Sequence, residues 1–155
     1  MEHKTNAMRE LDKLKIKYKF YSYTNAISGV EVAACLNQDE NRVFKTLVTV
    51  GKTGKHYVFM LPVAKELCLK KAAKAVGEKS VSMIKSKELL PLTGYVHGGC
   101  SPVGMKKFFT TVIHETAQNY ETIMFSGGKI GYQVEMSVEE LAKVIKFDFA
   151  DIVEM

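Results

Sequence analysis

The sequence predicts an α+β fold: a mixed, bent, barrel-like β-sheet surrounded by helices. Three observations carry this expectation. Stretches of strand-like alternation recur in pairs across glycine turns, at 43–50 with 56–61 and at 122–125 with 131–136. Short segments of helical spacing are interleaved with them, several opening on a capping residue. A chain of 155 residues, 46% apolar and 25% charged, suits one core, so residues 1–155 are expected to form a single domain.

In chain order, Asn6 is placed to cap a first helix with Ala7, Leu11 and Leu14 on one face. Residues 19–23 read as a short aromatic-rich strand. Ser28 and Glu31 form a capping box for a helix whose apolar face is Val32, Cys35 and Leu36, ended by Asn37. Strand 43–50 sets Lys45, Leu47 and Thr49 on one face and Phe44, Thr46, Val48 and Val50 on the other. With apolar residues on both faces it is expected to be mostly buried. Gly51-Lys52-Thr53-Gly54 turns the chain into strand 56–61. A helix is expected over 65–76, closed by Gly77, with Leu69, Ala72, Ala73 and Val76 inward and Lys70, Lys71 and Lys74 outward. After a strand at 81–83, Ser86 opens a brief helix stopped by Pro91 and Gly94. Strands are expected at 108–114, 122–125 and 131–136. Ser137 and Glu140 form a second capping box, whose helix buries Leu141, Val144 and Ile145.

Composition narrows the function classes. No apolar run is long enough to span a bilayer, and residues 1–6 lack the apolar core of a signal peptide. The three cysteines, Cys35, Cys68 and Cys100, are scattered, with no C-x-x-C pair and no metal-ligand cluster. A reducing cytoplasm is the simplest compartment, with no membrane, metal or cofactor expected. The net charge of +5 is concentrated: residues 65–87 hold seven lysines against Glu66 and Glu78. Two readings stand side by side, a surface for a polyanion and an ordinary solvated helix face.

Chemistry points to three short motifs. In Gly98-Gly99-Cys100-Ser101-Pro102-Val103-Gly104, three glycines and a proline break regular structure and let backbone N–H groups approach a ligand oxygen. Taken alone, such a cluster reads first as a surface turn; its company with the two motifs below favours a site. Phe44-Lys45-Thr46-Leu47 places a lysine in a mostly buried strand, where an ammonium needs a partner or a function. Ser126-Gly127-Gly128-Lys129 is a turn between strands. No Ser-His-Asp order or phosphate-binding loop is visible. Cys100 lacks a nearby His or Asp, which favours packing over nucleophilic duty. His97 is a candidate base beside the loop. His56 and His114 on strands read as structural, and Lys106, Lys107 and Lys129 as phosphate holders or solvated surface.

These motifs, together with Leu69-Lys70-Lys71-Ala72-Ala73-Lys74 and Gly94-Tyr95-Val96-His97 before the loop, resemble the YbaK/EbsC family of aminoacyl-tRNA deacylases. That family also supplies the editing domain associated with prolyl-tRNA synthetase. The resemblance runs over nearly the whole chain. It implies that Lys45 contacts the 3′ end of the tRNA and is needed for activity. It implies further that the backbone of Gly98, Gly99, Cys100, Ser101 and Pro102 holds the ester carbonyl and shapes the amino-acid pocket. Tyr23, Phe44, Thr46, Ser126, Gly127, Gly128 and Lys129 would complete the substrate-binding set. Cys100 is a departure, since relatives carry an aliphatic residue there.

The implied activity is release of cysteine from mischarged Cys-tRNA(Pro), with prolyl-tRNA synthetase a candidate partner for choosing the tRNA. The absence of a triad then has a reading of its own: a cysteinyl ester carries its own thiol nucleophile. A different mischarged amino acid such as alanine, or a non-catalytic tRNA- or synthetase-binding module, are the alternatives.

Overall fold

The computed structural model of the chain describes residues 4–24 and 28–155. Its elements are α1 (Asn6–Lys13), β1 (Lys19–Ser22), α2 (Gly29–Cys35), β2 (Phe44–Gly51), β3 (His56–Pro62), α3 (Leu69–Val76), β4 (Val81–Met83), α4 (Ser86–Thr93), β5 (Thr110–His114), β6 (Ile123–Ser126), β7 (Tyr132–Met136), α5 (Val138–Leu141) and β8 (Asp148–Ala150). Strands β4-β2-β3-β5-β8 form one sheet. It is mixed, because β3–β5 and β5–β8 pair in parallel while β2 pairs antiparallel with β3 and β4. Strands β1-β7-β6 form a second, antiparallel sheet. A parallel bridge between Val43 and Met124 joins the two. The assembly is bent, as the sequence predicts, but it does not close into a barrel.

Alternation along the strands divides the core. Phe44, Met60 and Ile113 of the larger sheet and Phe125, Val134 and Met136 of the smaller one meet Ala7, Met8 and Leu11 of α1 and Leu141 of α5. The other face of the larger sheet sends Leu47, Phe59, Leu61 and Val112 against Ala72 and Ala73 of α3. The other face of the smaller sheet, with Val43 and Met124, is covered by Ala33 and Leu36 of α2. Among the described residues, no helix is long and apolar enough to cross a membrane.

Several expectations are corrected. Thr5, not Asn6, caps α1: its hydroxyl accepts from Met8 N at 3.1 Å, while Asn6 takes up Arg9 at 3.3 Å. Helix α3 starts at Leu69, not at 65, because the backbone before it is engaged in pairing. Leu67 bridges Val153, and Cys68 N donates to Ile152 O at 2.8 Å. Leu69 is exposed rather than inward. Lys71 is held by Asp151 and the Val153 carbonyl, both at 2.9 Å, leaving Lys70 and Lys74 as the solvated lysines of the helix. Cys35 is exposed, its expected place on the buried face being taken by Ala33. Pro91 lies inside α4, and Gly94 ends that helix. Strand β8 was not expected. The first capping box is complete. The second is half made: Ser137 accepts from Glu140 N, but the Glu140 carboxylate turns to Lys17 N and Lys143.

The seam between the sheets is pinned by Arg42, just ahead of β2. Its guanidinium donates to Glu135 Oε2 on β7 at 2.6 Å, and Tyr21 Oη donates to Glu135 Oε1 at 2.6 Å. Burial pushes the Glu135 carboxyl up, but hydrogen bonds from Thr122, Tyr21 and Arg42 outweigh it and bring the pKa to about 2. A folded-state pKa below the ordinary 4.5 stabilises the fold above pH 4.5, and that contribution is lost as pH falls towards 2. Arg42→Met is therefore expected to lower stability at pH 7 by about 3 kcal/mol in denaturant titration. It should also flatten the loss of stability between pH 4.5 and 2. An unchanged denaturation midpoint at pH 7 would show that the seam does not depend on this pair.

Candidate active site

Beyond the Val43–Met124 bridge, β2 and β6 have no further pairing. Lys45 follows Val43 by two residues and Ser126 follows Met124 by two, so both project from the same face as the bridged pair. Ser126 pairs with Gln133 on β7, and Gln133 pairs with Tyr21 on β1. A row of side chains thus runs Lys45, Ser126, Gln133, Tyr21. Tyr23 N donates to Gly131 O at 2.9 Å, which carries Tyr23 along the same face, two residues beyond Tyr21. On one side of Lys45 the face is covered by α2 over Val43; on the other it is covered by α3 over Leu47. Lys45 is half-buried between them, with no carboxylate at ion-pairing distance among the described residues. Phe44 and Thr46 point the other way. Phe44 is in the core, and the Thr46 hydroxyl is buried without a partner among the described residues. Towards the Lys45 face these two offer backbone only.

The glycine–proline loop touches both sheets' surroundings, the 129–130 turn through Gly99 and the larger sheet through Cys100. At its start, Gly99 approaches the Lys129–Ile130 backbone so closely that an added Cβ would lie 3.0 Å from Ile130 N and 3.2 Å from Lys129 Cα. A larger residue would have to push that backbone away by a few tenths of an ångström. One residue later, the Cys100 side chain packs with Val48 and Val58 on β2 and β3 and with Tyr95 and Phe109. Ser101 is fully buried, and its hydroxyl accepts from Val103 N at 3.3 Å. Pro102 is buried beside it. Among the described residues, only one N–H of positions 98–101 meets a protein acceptor: Gly99 N donates to Val96 O at 3.0 Å. The N–H groups of Gly98, Cys100 and Ser101 have no protein acceptor among the described residues.

The 126–131 turn forms the opposite wall. Ser126 Oγ accepts from Gly128 N at 3.1 Å, Gly127 N donates to Tyr132 O at 2.9 Å, and the Thr5 hydroxyl donates to the Gly127 carbonyl. Lys129 is exposed at the tip. The ladder registers set Lys45, Ser126 and Tyr23 on one face, and Gly99 sets the loop against the 126–131 turn.

This arrangement supplies no evident enzyme nucleophile. Burial pushes the Cys100 thiol up to about 12, outweighing the opposing hydrogen bond from Thr93. His97 is exposed. His56 packs edge-on against Phe109 at 6.0 Å. His114 is buried, its Nδ1 accepting from Ile152 N at 3.4 Å, and burial lowers its pKa. Lys106 donates to the Pro91 carbonyl at 3.3 Å, and Lys107 lies 5.9 Å from the Phe109 ring. A cleft of about 1030 Å³ between α1, β1 and β7, lined by Met8, Tyr18, Phe20 and Glu135, contains none of the loop residues. A second, of about 530 Å³, touches the loop only through Pro102 and Gly104.

One member of the row escaped sequence reasoning. Gln133 and Glu135 alternate with apolar Val134 and Met136 and so read as the solvent face of a hairpin. Gln133 is nevertheless 6% exposed. The signal was present: counting back across the 127–131 turn pairs position 133 with Ser126.

Comparison with known proteins bears on the arrangement. A family model described as an aminoacyl-tRNA editing domain matches residues 25–144. A curated protein of Enterococcus faecalis, provisionally named Cys-tRNA(Pro)/Cys-tRNA(Cys) deacylase EbsC, is 44% identical over 154 residues, covering 97% of this chain and 94% of that protein. Among solved structures, one described provisionally as a trans-editing enzyme for prolyl tRNA synthetase superposes with a TM-score of 0.85 at 24% identity, over 97% of this chain and 96% of that one. The hypothetical protein APE2540 also superposes with a TM-score of 0.85, at 22% identity, over 96% and 99% of the two chains. The structural likenesses concern the fold.

The environments of the cysteines predict their reactivity. With the native protein at pH 8, exposed Cys35 is expected to be alkylated by iodoacetamide within minutes, and Cys100 at least about 100-fold more slowly. Peptide mass spectrometry over time measures both. Equal rates in the folded protein would show that the Cys100 thiol faces outward.

Proposed function

We propose, from the premise that this chain belongs to the aminoacyl-tRNA editing domain family, that it is a deacylase releasing cysteine from mischarged Cys-tRNA(Pro). Residues 1–155 act as one editing domain in the cytoplasm. Prolyl-tRNA synthetase is the candidate partner for selecting the tRNA, and the exposed Lys70 and Lys74 add positive charge for its backbone. The observation that carries the reading is a set of loop N–H groups without a protein acceptor and a half-buried lysine without a carboxylate partner among the described residues, with the loop's own thiol turned into the core. Such a site fits an ester that brings its own nucleophile.

In this reading the Lys45 ammonium holds the 3′-terminal nucleotide through its phosphate or ribose oxygens. The N–H groups of Gly98, Cys100 and Ser101 receive the ester carbonyl oxygen as it gains negative charge. The thiol of the bound cysteinyl group has an ordinary pKa of about 8.5, so a few per cent is thiolate at neutral pH. Its sulfur attacks the carbonyl carbon of the same residue. The S–C bond forms, the C–O bond to the ribose breaks, and the ribose oxygen takes up a proton. The products are free tRNA and a cyclic thiolactone, which water opens to cysteine. The protein's part is to fold the ester into this geometry and to stabilise the developing oxyanion.

Lys45→Ala is expected to lower kcat/KM for Cys-tRNA(Pro) by at least about 100-fold with an unchanged melting temperature. Near-normal turnover by the folded variant would remove Lys45 from the site. Ala-tRNA(Pro), assayed beside it, should be cleaved poorly; preference for alanine would replace the cysteine assignment, and turnover of neither would leave a binding module. The nucleophile is tested separately. Early product should contain a species one water lighter than cysteine, and Cys100→Ser should retain activity. Direct entry of solvent oxygen into cysteine, with no thiolactone trapped at the earliest times, would establish hydrolysis instead.

A further inference from the structure

Gln133 lies third in the row that starts at Lys45, between Ser126 on β6 and Tyr21 on β1. It is 6% exposed, and its amide oxygen Oε1 is buried with no hydrogen-bond partner among the described residues. Neither ladder neighbour bonds to it: Ser126 Oγ accepts from Gly128 N and makes no hydrogen bond to Oε1, and Tyr21 Oη donates to Glu135. Buried polar atoms in folded proteins are almost always paired, so an orphan acceptor inside a site points to a donor that arrives with the ligand.

We propose that Gln133 is a specificity-determining residue whose Oε1 accepts a hydrogen bond from the α-ammonium of the aminoacyl ester; this rests on the deacylase reading above. The surroundings select a cationic donor. The Glu135 carboxylate lies two residues along β7 on the same face, held ionised by Arg42, Tyr21 and Thr122. The Tyr21 ring lies directly across the ladder, and an aromatic face favours a cation. Lys45 stands further along the row, beyond Ser126 and across the place where β2 and β6 part. A cysteinyl adenosine set along the row would place its ribose towards Lys45 and its amine towards Gln133, leaving the ester carbonyl between them to face the loop. The site would then read a free α-amine as well as a side chain, and would reject esters whose amine is already acylated, such as peptidyl-tRNA.

The test compares Cys-tRNA(Pro) with N-acetyl-Cys-tRNA(Pro), whose nitrogen carries no charge. The wild-type protein should favour the free amine by about 30-fold in kcat/KM. Gln133→Met keeps the length of the side chain and removes the acceptor; it should bring the two substrates within about threefold of each other, mainly by slowing Cys-tRNA(Pro). Gln133→Glu keeps an acceptor and should retain the preference. A purely structural glutamine would move stability and leave the preference intact, so melting temperatures are taken for each variant. Binding of a non-cleaved 3′-cysteinylamido-adenosine, with and without N-acetylation, is measured by calorimetry in parallel. If wild-type protein cleaves neither tRNA but binds the free amine at least tenfold more tightly in a Gln133-dependent way, the deacylase reading falls and the amine contact stands. If folded Gln133→Met keeps the wild-type preference in both assays, the proposal is overturned. It is equally overturned if the variant changes discrimination against a 2′-deoxy terminal ribose instead, since Oε1 would then serve a hydroxyl.

Discussion

The site depends on a single buried phenol. The Tyr95 hydroxyl donates to the Val103 carbonyl at 2.5 Å, and its ring stands between the two glycine segments that form the walls. A Cβ on Gly104 would fall 2.8 Å from the Tyr95 oxygen, and one on Gly128 would fall 3.2 Å from its ring. Burial raises the phenol's pKa far above the usual range, so it remains a neutral donor at any pH the fold survives. Helix α1 closes the same knot: Ala7 packs against Gly104 and Gly128, and Thr5, which caps the helix, also grips the Gly127 carbonyl. Loop, turn and helix are thereby fixed relative to one another by atoms that take no part in chemistry. Preorganisation of this kind lets backbone N–H groups act as a receptor, because their positions are set before a ligand arrives.

The two sheets complete the frame by meeting and then parting. The Val43–Met124 bridge and the Arg42–Glu135 pair hold them together at one end. At the other end the loop meets the 129–130 backbone at Gly99 and packs Cys100 against Val48 and Val58 of the larger sheet. A closed barrel would have consumed the parted edges in ladder hydrogen bonds.

Most of the fold was legible because it rests on local signals. The hairpins at 43–61 and 122–136 announce themselves by alternation across glycine turns, and Ser28 with Glu31 announces α2. The failures share one cause, backbone groups satisfied by remote partners. Residues 65–68 have helical spacing, but Leu67 and Cys68 pair with the chain near Val153, eighty-odd residues away, and no local pattern records that. Strand β8 is short and polar at its start, and it exists because β5 offers an edge. Cys35 fits the apolar stripe of α2 by spacing, yet the helix is rolled so that Ala33 takes the buried position. Within the site, Lys45 and the two glycine motifs stand out by composition. Gln133 does not, since whether a polar residue on an alternating strand meets water depends on what α2 covers.

Cys100 shows how such a site passes through descent. Its N–H meets no protein acceptor among the described residues, while its side chain belongs to the core with Val48, Val58 and Phe109. Any residue other than proline supplies the same N–H, so the receptor is indifferent to which side chain is inherited there. Replacing cysteine at position 100 by an aliphatic residue of similar volume is therefore expected to change packing and leave the N–H in place. Glycine at 99 has no such liberty, because its hydrogen faces backbone. Two adjacent positions in one functional loop are thus expected to drift at very different rates.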